Sequence, residues 1–214
     1  MKKTYAACRS YRDSGVVRVR GSIEGGSFGS SVEFATAFVR PAPFRFEFSG
    51  GGLGDGSERS VFFWDGEQAL ALLPGEASGR PVGSLQEALE AAFGITAGAS
   101  LRVPGLLLPR LLGGGVPLVS PQRLEDDTVN GRVCVRVRGK SRATPYQRTS
   151  GAVTVTVEDE SVTLWIDRER LLLLKVEEDA QLSTYRALTV TTYSPEVDVP
   201  IPPENLSLSP TAPP

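Results

Sequence analysis

The feature that most restricts the fold is a two-residue apolar alternation that recurs along the chain, cut into short runs by turn residues. Val17-Arg18-Val19-Arg20 alternates, Val32 to Val39 continues the pattern, and Phe44-Arg45-Phe46-Glu47-Phe48 follows across Pro41-Ala42-Pro43. A Gly-rich connection from Ser49 to Ser57 leads into Val61-Phe62-Phe63-Trp64, then Asp65-Gly66, then Gln68 to Leu73. Asp-Gly between two such runs signals a hairpin, because a tight hairpin turn needs positive φ at both central residues. Asn130-Gly131 signals another, pairing Arg123 to Val129 with Arg132 to Arg138. The last third offers Ala152 to Val157, Val162 to Ile166, Leu171 to Val176 and Leu182 to Thr192, with turns expected near Asp159-Glu160 and Asp167-Arg168. These runs amount to about eleven strands of an antiparallel meander, too many to lie flat, so the sheet is expected to curl.

Helical material is sparse. Tyr5, Cys8 and Tyr11 share helical spacing, which predicts a short helix ending at Asp13-Ser14-Gly15. Ser84 with Glu87 three residues on forms a capping box opening a helix that Gly94 ends. Its apolar face, Leu85, Ala88, Leu89, Ala92 and Phe93, needs a sheet to lie on. The stretch from Val103 to Gly113 is apolar nearly all round, broken by Pro109 and flanked by glycines that can hinge it, so it must be buried or meet an apolar partner. The expected class is mainly β (α+β), a single domain over residues 1–200. A Pro-rich tail follows at 201–214, with Val197 and Val199 able to add an edge segment before disorder sets in.

Composition removes several functions. A net charge of −2, from 23 basic and 25 acidic residues spread along the chain, provides no electrostatic stripe for a nucleic acid. Histidine is absent, which takes away the usual general base, the usual partner of a catalytic serine or cysteine, and the commonest metal ligand. An enzyme is therefore not expected, and neither is a cofactor or metal. Gly50-Gly51-Gly52 and Gly139-Lys140-Ser141 lack the spacing of a phosphate loop. Glu125-Asp126-Asp127 and Glu177-Glu178-Asp179 are consecutive on strands or turns, so neighbouring side chains diverge and read as solvated charge rather than a calcium site. Cys8 and Cys134 leave two alternatives open: one bridge closing a loop of roughly 125 residues and adding ~4–5 kcal/mol on the chain-entropy model, or two buried reduced thiols. No segment reaches the ~18 consecutive apolar residues of a membrane-spanning helix, and the start, MKKTYAACRSYRDSG, has no apolar leader. A mature exported protein without its leader can begin in this way.

The densest apolar feature is the aromatic series Phe34, Phe38, Phe44, Phe46, Phe48, Phe62 and Trp64. Phe44, Phe46 and Phe48 share one face, as do Phe62 and Trp64. They make either an ordinary core or a face that in part lines a cavity, with Leu106 to Leu112 as its cover. A curling sheet with few helices to fill it favours the cavity.

Three stretches in order then carry a resemblance. Val39-Arg40-Pro41-Ala42-Pro43-Phe44-Arg45-Phe46-Glu47, Phe63-Trp64-Asp65-Gly66, and Thr163-Leu164-Trp165-Ile166-Asp167 followed by Leu171 to Val176 together resemble the LolA/LolB-like lipoprotein-carrier superfamily of bacterial envelopes, over roughly residues 1–200. The resemblance implies a half-open antiparallel β-barrel of about eleven strands closed by short helices. Its apolar concavity would take acyl chains of a lipid or lipoprotein, with an envelope transport protein as a further partner. It also implies a monomeric protein of the periplasm or cell envelope, and a lid over Ser84 to Gly113. Arg40 matches the position that tethers the lid through backbone carbonyls, and Phe34, Phe38, Phe46, Trp64, Leu107, Leu111 and Trp165 are the expected lining. The alternative reading is an envelope sensor or protein-binding module that docks a protein partner on the same sheet and apolar segment.

Overall fold

The computed structural model describes residues 1–50, 58–150 and 153–209. Most of the Gly-rich connection after Ser49, the start of the run at Ala152 and the end of the Pro-rich tail lie outside them. Among the described residues the strands are β1 (Ser10–Ile23), β2 (Gly26–Val39), β3 (Phe44–Gly50), β4 (Arg59–Trp64), β5 (Ala69–Leu72), β6 (Arg80–Pro81), β7 (Val119–Val129), β8 (Arg132–Lys140), β9 (Tyr146–Ser150), β10 (Val153–Asp167), β11 (Leu173–Leu182), β12 (Arg186–Tyr193) and β13 (Glu196–Val197). They form one antiparallel sheet in the order β6-β5-β4-β3-β2-β1-β12-β11-β10-β8-β7, with β13 beside β1 and β9 beside β10. The sheet curves into a half-open barrel whose edges, β6 and β7, do not meet. Four short helices accompany it: α1 (Lys2–Ala7), α2 (Leu85–Ala91), α3 (Ala99–Leu107) and α4 (Pro109–Leu112).

Register explains which side is filled. Phe38 faces Phe44, Phe34 faces Phe48, Phe44 faces Trp64 and Phe46 faces Phe62 across neighbouring strands. The aromatics therefore share the inner face, where α1 and α3 pack on them through Tyr5, Val103, Leu106 and Leu107. The alternate residues Arg45 and Glu47 turn to the outer face, yet are only 2% and 3% exposed.

The reason is the C-terminal segment. The expected disorder after Val199 gives way to a strap: Asp198 accepts the amide of Arg9, Ser10 Oγ donates to the Val199 carbonyl, and residues Pro203–Leu206 make a 3-10 turn. Arg45 then holds the carbonyls of Ser207 and Ser209 at 2.7 and 3.0 Å. A Cβ at Gly79 would collide with Leu208, so the strap reaches as far as the loop before β6.

Other elements shift from the sequence expectation. The first helix is shorter than the spacing predicts, because Tyr11 and Asp13 belong to β1. Gly15 ends no helix; it is in mid-strand, where any Cβ would collide with the Phe34 ring and the Thr192 carbonyl. Asn130 (φ 51°) and Gly131 (φ 74°) form the two-residue turn expected of them. At Asp65-Gly66 the hairpin is instead a four-residue loop, pinned by the Asp65 carboxylate accepting the amides of Glu67 and Gln68. The turn expected near Asp159-Glu160 is a bulge within the single long strand β10. There Glu160 accepts the hydroxyls of Ser141 and Tyr146, so its charge is engaged inside the fold. Cys8 and Cys134 are both free and buried, and lie in separate apolar clusters, so the alternative realised is two thiols.

Asp13 is a buried carboxyl in the aromatic layer, accepting the Tyr11 hydroxyl at 2.7 Å and the Thr36 amide at 3.0 Å. Loss of solvation outweighs those hydrogen bonds and pushes its pKa up from 3.8 to about 6. Between these values the folded protein keeps a proton that the unfolded chain has lost. Asp13 therefore favours folding most below pH 3.8, and that contribution falls as pH rises through about 6. The span is about 3 kcal/mol at ~1.36 kcal/mol per pH unit. Urea unfolding of the wild type and Asp13→Asn at pH 4 and pH 7 checks this. The stability difference between them should move by about that amount against the wild type at the higher pH, and a constant difference would refute it.

Candidate functional site

α2 begins as the capping box predicts: Ser84 Oγ accepts the Glu87 amide at 3.1 Å. Leu85, Ala88 and Leu89 are buried beneath it, and Ala92, just beyond its end, is buried too, whereas Phe93 is 41% exposed. Phe93 misses the inner face because the chain leaves the helix at Ala92 and runs through turns to Gly98, where α3 begins.

α2 lies over β4 and β5, and where it borders Phe48 and Phe62 it and its C-cap present Ala88, Ala91 and Ala92. Small side chains opposite Phe48 and Phe62 leave space. The result is a cavity of about 770 Å³ between the inner face of β3 to β5, α2 and the loop carrying Val82. Its apolar wall includes Phe48, Phe62, Leu73, Val82, Ala92 and Ile95. Polar groups are confined to Ser60 and to a rim that includes Glu58, Arg80 and Glu87. A volume of this size falls within the ~300–1,000 Å³ typical of small-ligand pockets.

None of the residues expected to line a cavity borders this one, although Phe34 lines a second space of about 600 Å³ together with Arg12, Glu33, Arg45 and Glu47. Phe34, Phe38 and Phe46 are buried in the filled core beside Leu107, and Trp64 packs half-buried at its margin. Leu111 is 37% exposed on α4. Trp165 is on the outer face: Leu164 takes the inner position opposite Val176, and alternation sends its neighbour the other way. There Trp165 packs with Cys134 and Leu174, and its indole donates to Asp127 at 3.0 Å. The residues that do line the cavity carried signals in the sequence. Phe48 and Phe62 belong to the aromatic series, and Ala88 and Ala92, though not Ala91, belong to the apolar face of the capped helix. What no pattern revealed is that α2, rather than the leucine segment, stands over open space.

Only the first part of that segment is enclosed: Leu106 and Leu107 end α3, which is a plug, while α4 stays at the surface. α3 is buried on nearly every side, with Val103 and Leu107 fully enclosed. It is tied at both ends. Arg102 reaches Glu178 on β11 and donates to Thr191 Oγ1 at 3.1 Å. Arg40, at the end of β2, donates through Nε to the Cys8 carbonyl at 3.0 Å, and through one terminal nitrogen to the carbonyls of Tyr5 and Leu107, both at 3.1 Å. Its guanidinium also covers the Phe38 ring at 5.1 Å. One side chain thus gathers the carbonyl ends of α1 and α3, where the last turn leaves carbonyls without backbone donors; the Tyr5 carbonyl also accepts the Cys8 thiol at 3.2 Å. Ser100 Oγ donates to the Leu89 carbonyl at 2.8 Å, joining α3 to α2.

Among the described residues no group of three or more acidic or cysteine side chains is placed to hold a metal ion, and no helix is long and apolar enough to cross a membrane.

No protein-family model and no curated protein matches the chain. Several solved structures are similar to it. LprF from Mycobacterium bovis has 12% sequence identity and a TM-score of 0.47, covering 94% of this chain and 90% of that one. The Mycobacterium tuberculosis lipoprotein LppX has 14% identity and a TM-score of 0.42, covering 94% and 92%. A LolA superfamily protein from Nitrosomonas europaea has 11% identity and a TM-score of 0.35, covering 96% and 94%.

Proposed function

We propose that this is a non-enzymatic envelope protein that binds the acyl chain of a lipid or lipoprotein in the cavity beneath α2. The observation that carries the reading is an apolar space of about 770 Å³ walled by Phe48, Phe62, Leu73, Val82 and Ile95. Each methylene moved from water into such a site contributes ~0.8 kcal/mol, so about ten of them supply ~8 kcal/mol before the costs of ordering and association. In this reading α3 is the fixed floor and Arg40 its latch. α2, hinged at Gly83 and Gly94, is the element that lifts to admit a chain.

Native mass spectrometry of gently extracted protein tests the proposal. Wild-type protein should carry a lipid-sized adduct. Ala91 lines the cavity from the exposed side of α2, so a large side chain there can fill the space without repacking the core. Ala91→Trp should fold normally and lose the adduct. A wild type that is empty from several hosts and does not take up added fatty amphiphile would overturn the reading. An adduct retained undiminished in Ala91→Trp would place the ligand elsewhere.

A further inference from the structure

The rim and wall of the cavity differ in a way that bears on which amphiphile enters. Resting on the lipid-binding reading above, we infer that the cavity selects chains whose polar end is cationic or uncharged and hydrogen-bonding, over chains that end in a carboxylate or phosphate.

The wall formed by β4 and the residue before it grades from charged to apolar. Glu58, Ser60 and Phe62 follow one another at the two-residue spacing of a strand, and all three line the cavity. Glu58 is exposed, Ser60 is 3% exposed and Phe62 is 6% exposed. Such a gradient orients an amphiphile: its chain lies against Phe62 and its head stays at the level of Glu58. Ser60 is directly opposite Phe48 in the β3–β4 register, so its hydroxyl is placed at the boundary between the charged rim and the apolar wall. A hydroxyl at that depth can donate to or accept from a polar atom of a ligand. An ester or hydroxyl near the head of the chain supplies such an atom.

The mouth is acidic. Glu58 and Glu87 are exposed on opposite sides of it and make no ion pair among the described residues. Arg80 is the cation lining the cavity, and its Nε is already paired with Glu76 at 3.0 Å. A ligand head therefore meets two carboxylates, Glu58 and Glu87, and one guanidinium that is already paired. An anionic head is repelled there, while a quaternary amine or an uncharged sugar or glycerol head is not.

Matched amphiphiles decide it: dodecyltrimethylammonium, dodecyl maltoside and dodecanoate, each below its micelle concentration, in calorimetric titrations at low ionic strength, where rim charges are least screened. Wild-type protein should bind the cationic and uncharged heads at least about ten-fold more tightly than dodecanoate. The double variant Glu58→Lys/Glu87→Lys, both at exposed positions, should reverse the order of the two charged ligands. Ser60→Ala should weaken the maltoside about five-fold, with its unfolding transition unchanged. Dodecanoate binding as tightly as the others, or an order that survives charge reversal, would overturn the inference and leave acyl binding standing. Absence of binding by all three would overturn acyl binding itself, and this inference with it.

Discussion

Arg45→Met should lower the unfolding free energy by about 3–5 kcal/mol, the range for breaking a buried ion pair from one side. Arg45 is 2% exposed and donates to Glu47 at 2.6 Å, a carboxylate that is itself 3% exposed. Without Arg45, Glu47 is left facing Arg59, which is more exposed and 3.3 Å away. A second change separates charge from shape. In Arg45→Met/Glu47→Leu both charges leave together, and well-packed apolar replacements of similar volume recover most of the loss. The strap contact is not recovered, since the carbonyls of Ser207 and Ser209 lose their donor in either variant. Urea unfolding should therefore show the double variant well above the single one, while both show faster amide exchange in residues 203–209. A double variant as unstable as the single would mean that breaking the Arg45–Glu47 pair from one side is not the cause.

Arg40→Ala should cost about 3 kcal/mol, given ~1.5–3 kcal/mol for a charge-assisted hydrogen bond and the penalty for carbonyls left without a donor. Its three bonds join elements far apart in sequence, with Leu107 67 residues from Arg40. The loss should therefore be local as well as global. Amide exchange at the ends of α1 and α3 should rise more than in β10 and β11. Arg40→Lys keeps the charge but not the fork that spans Cys8, Tyr5 and Leu107, and should recover less than half of the loss. Equal protection of α1 and α3 in all three proteins would show that the latch fastens nothing.

These two arginines look alike in the sequence, each at the margin of an aromatic strand, and they do opposite kinds of work. Arg40 faces inward to helix ends, while Arg45 faces outward to a tail. The alternation of Phe44 to Phe48 was enough to assign Arg45 to the face opposite the phenyl rings. It did not reveal that this face is covered, because the covering segment approaches from more than 150 residues away, with Arg45 Nε reaching the Ser207 carbonyl across 162 positions. The same limit applied at Trp165, whose face depended on which neighbour met Val176 across the strand pair. It applied again at the cavity. Ala88 and Ala92 read correctly as part of an apolar face, but whether they meet side chains or space depends on how far the helix stands from Phe48 and Phe62.

What the sequence by itself determined is the strand content, the antiparallel hairpins and the shared face of the aromatics. Period-two alternation and turn chemistry are local, acting within a few residues along the chain. Only the tertiary structure decided how the halves join. β1 and β12 pair from Gly15 with Tyr193 to Ser22 with Arg186, setting the first long strand in the middle of the sheet and bringing both meanders around one core. It also decided that α3 fills that core, while α2 leaves room beside it. Such pairings are settled by which surfaces exclude water together, a sum over residues remote in sequence that no local period encodes.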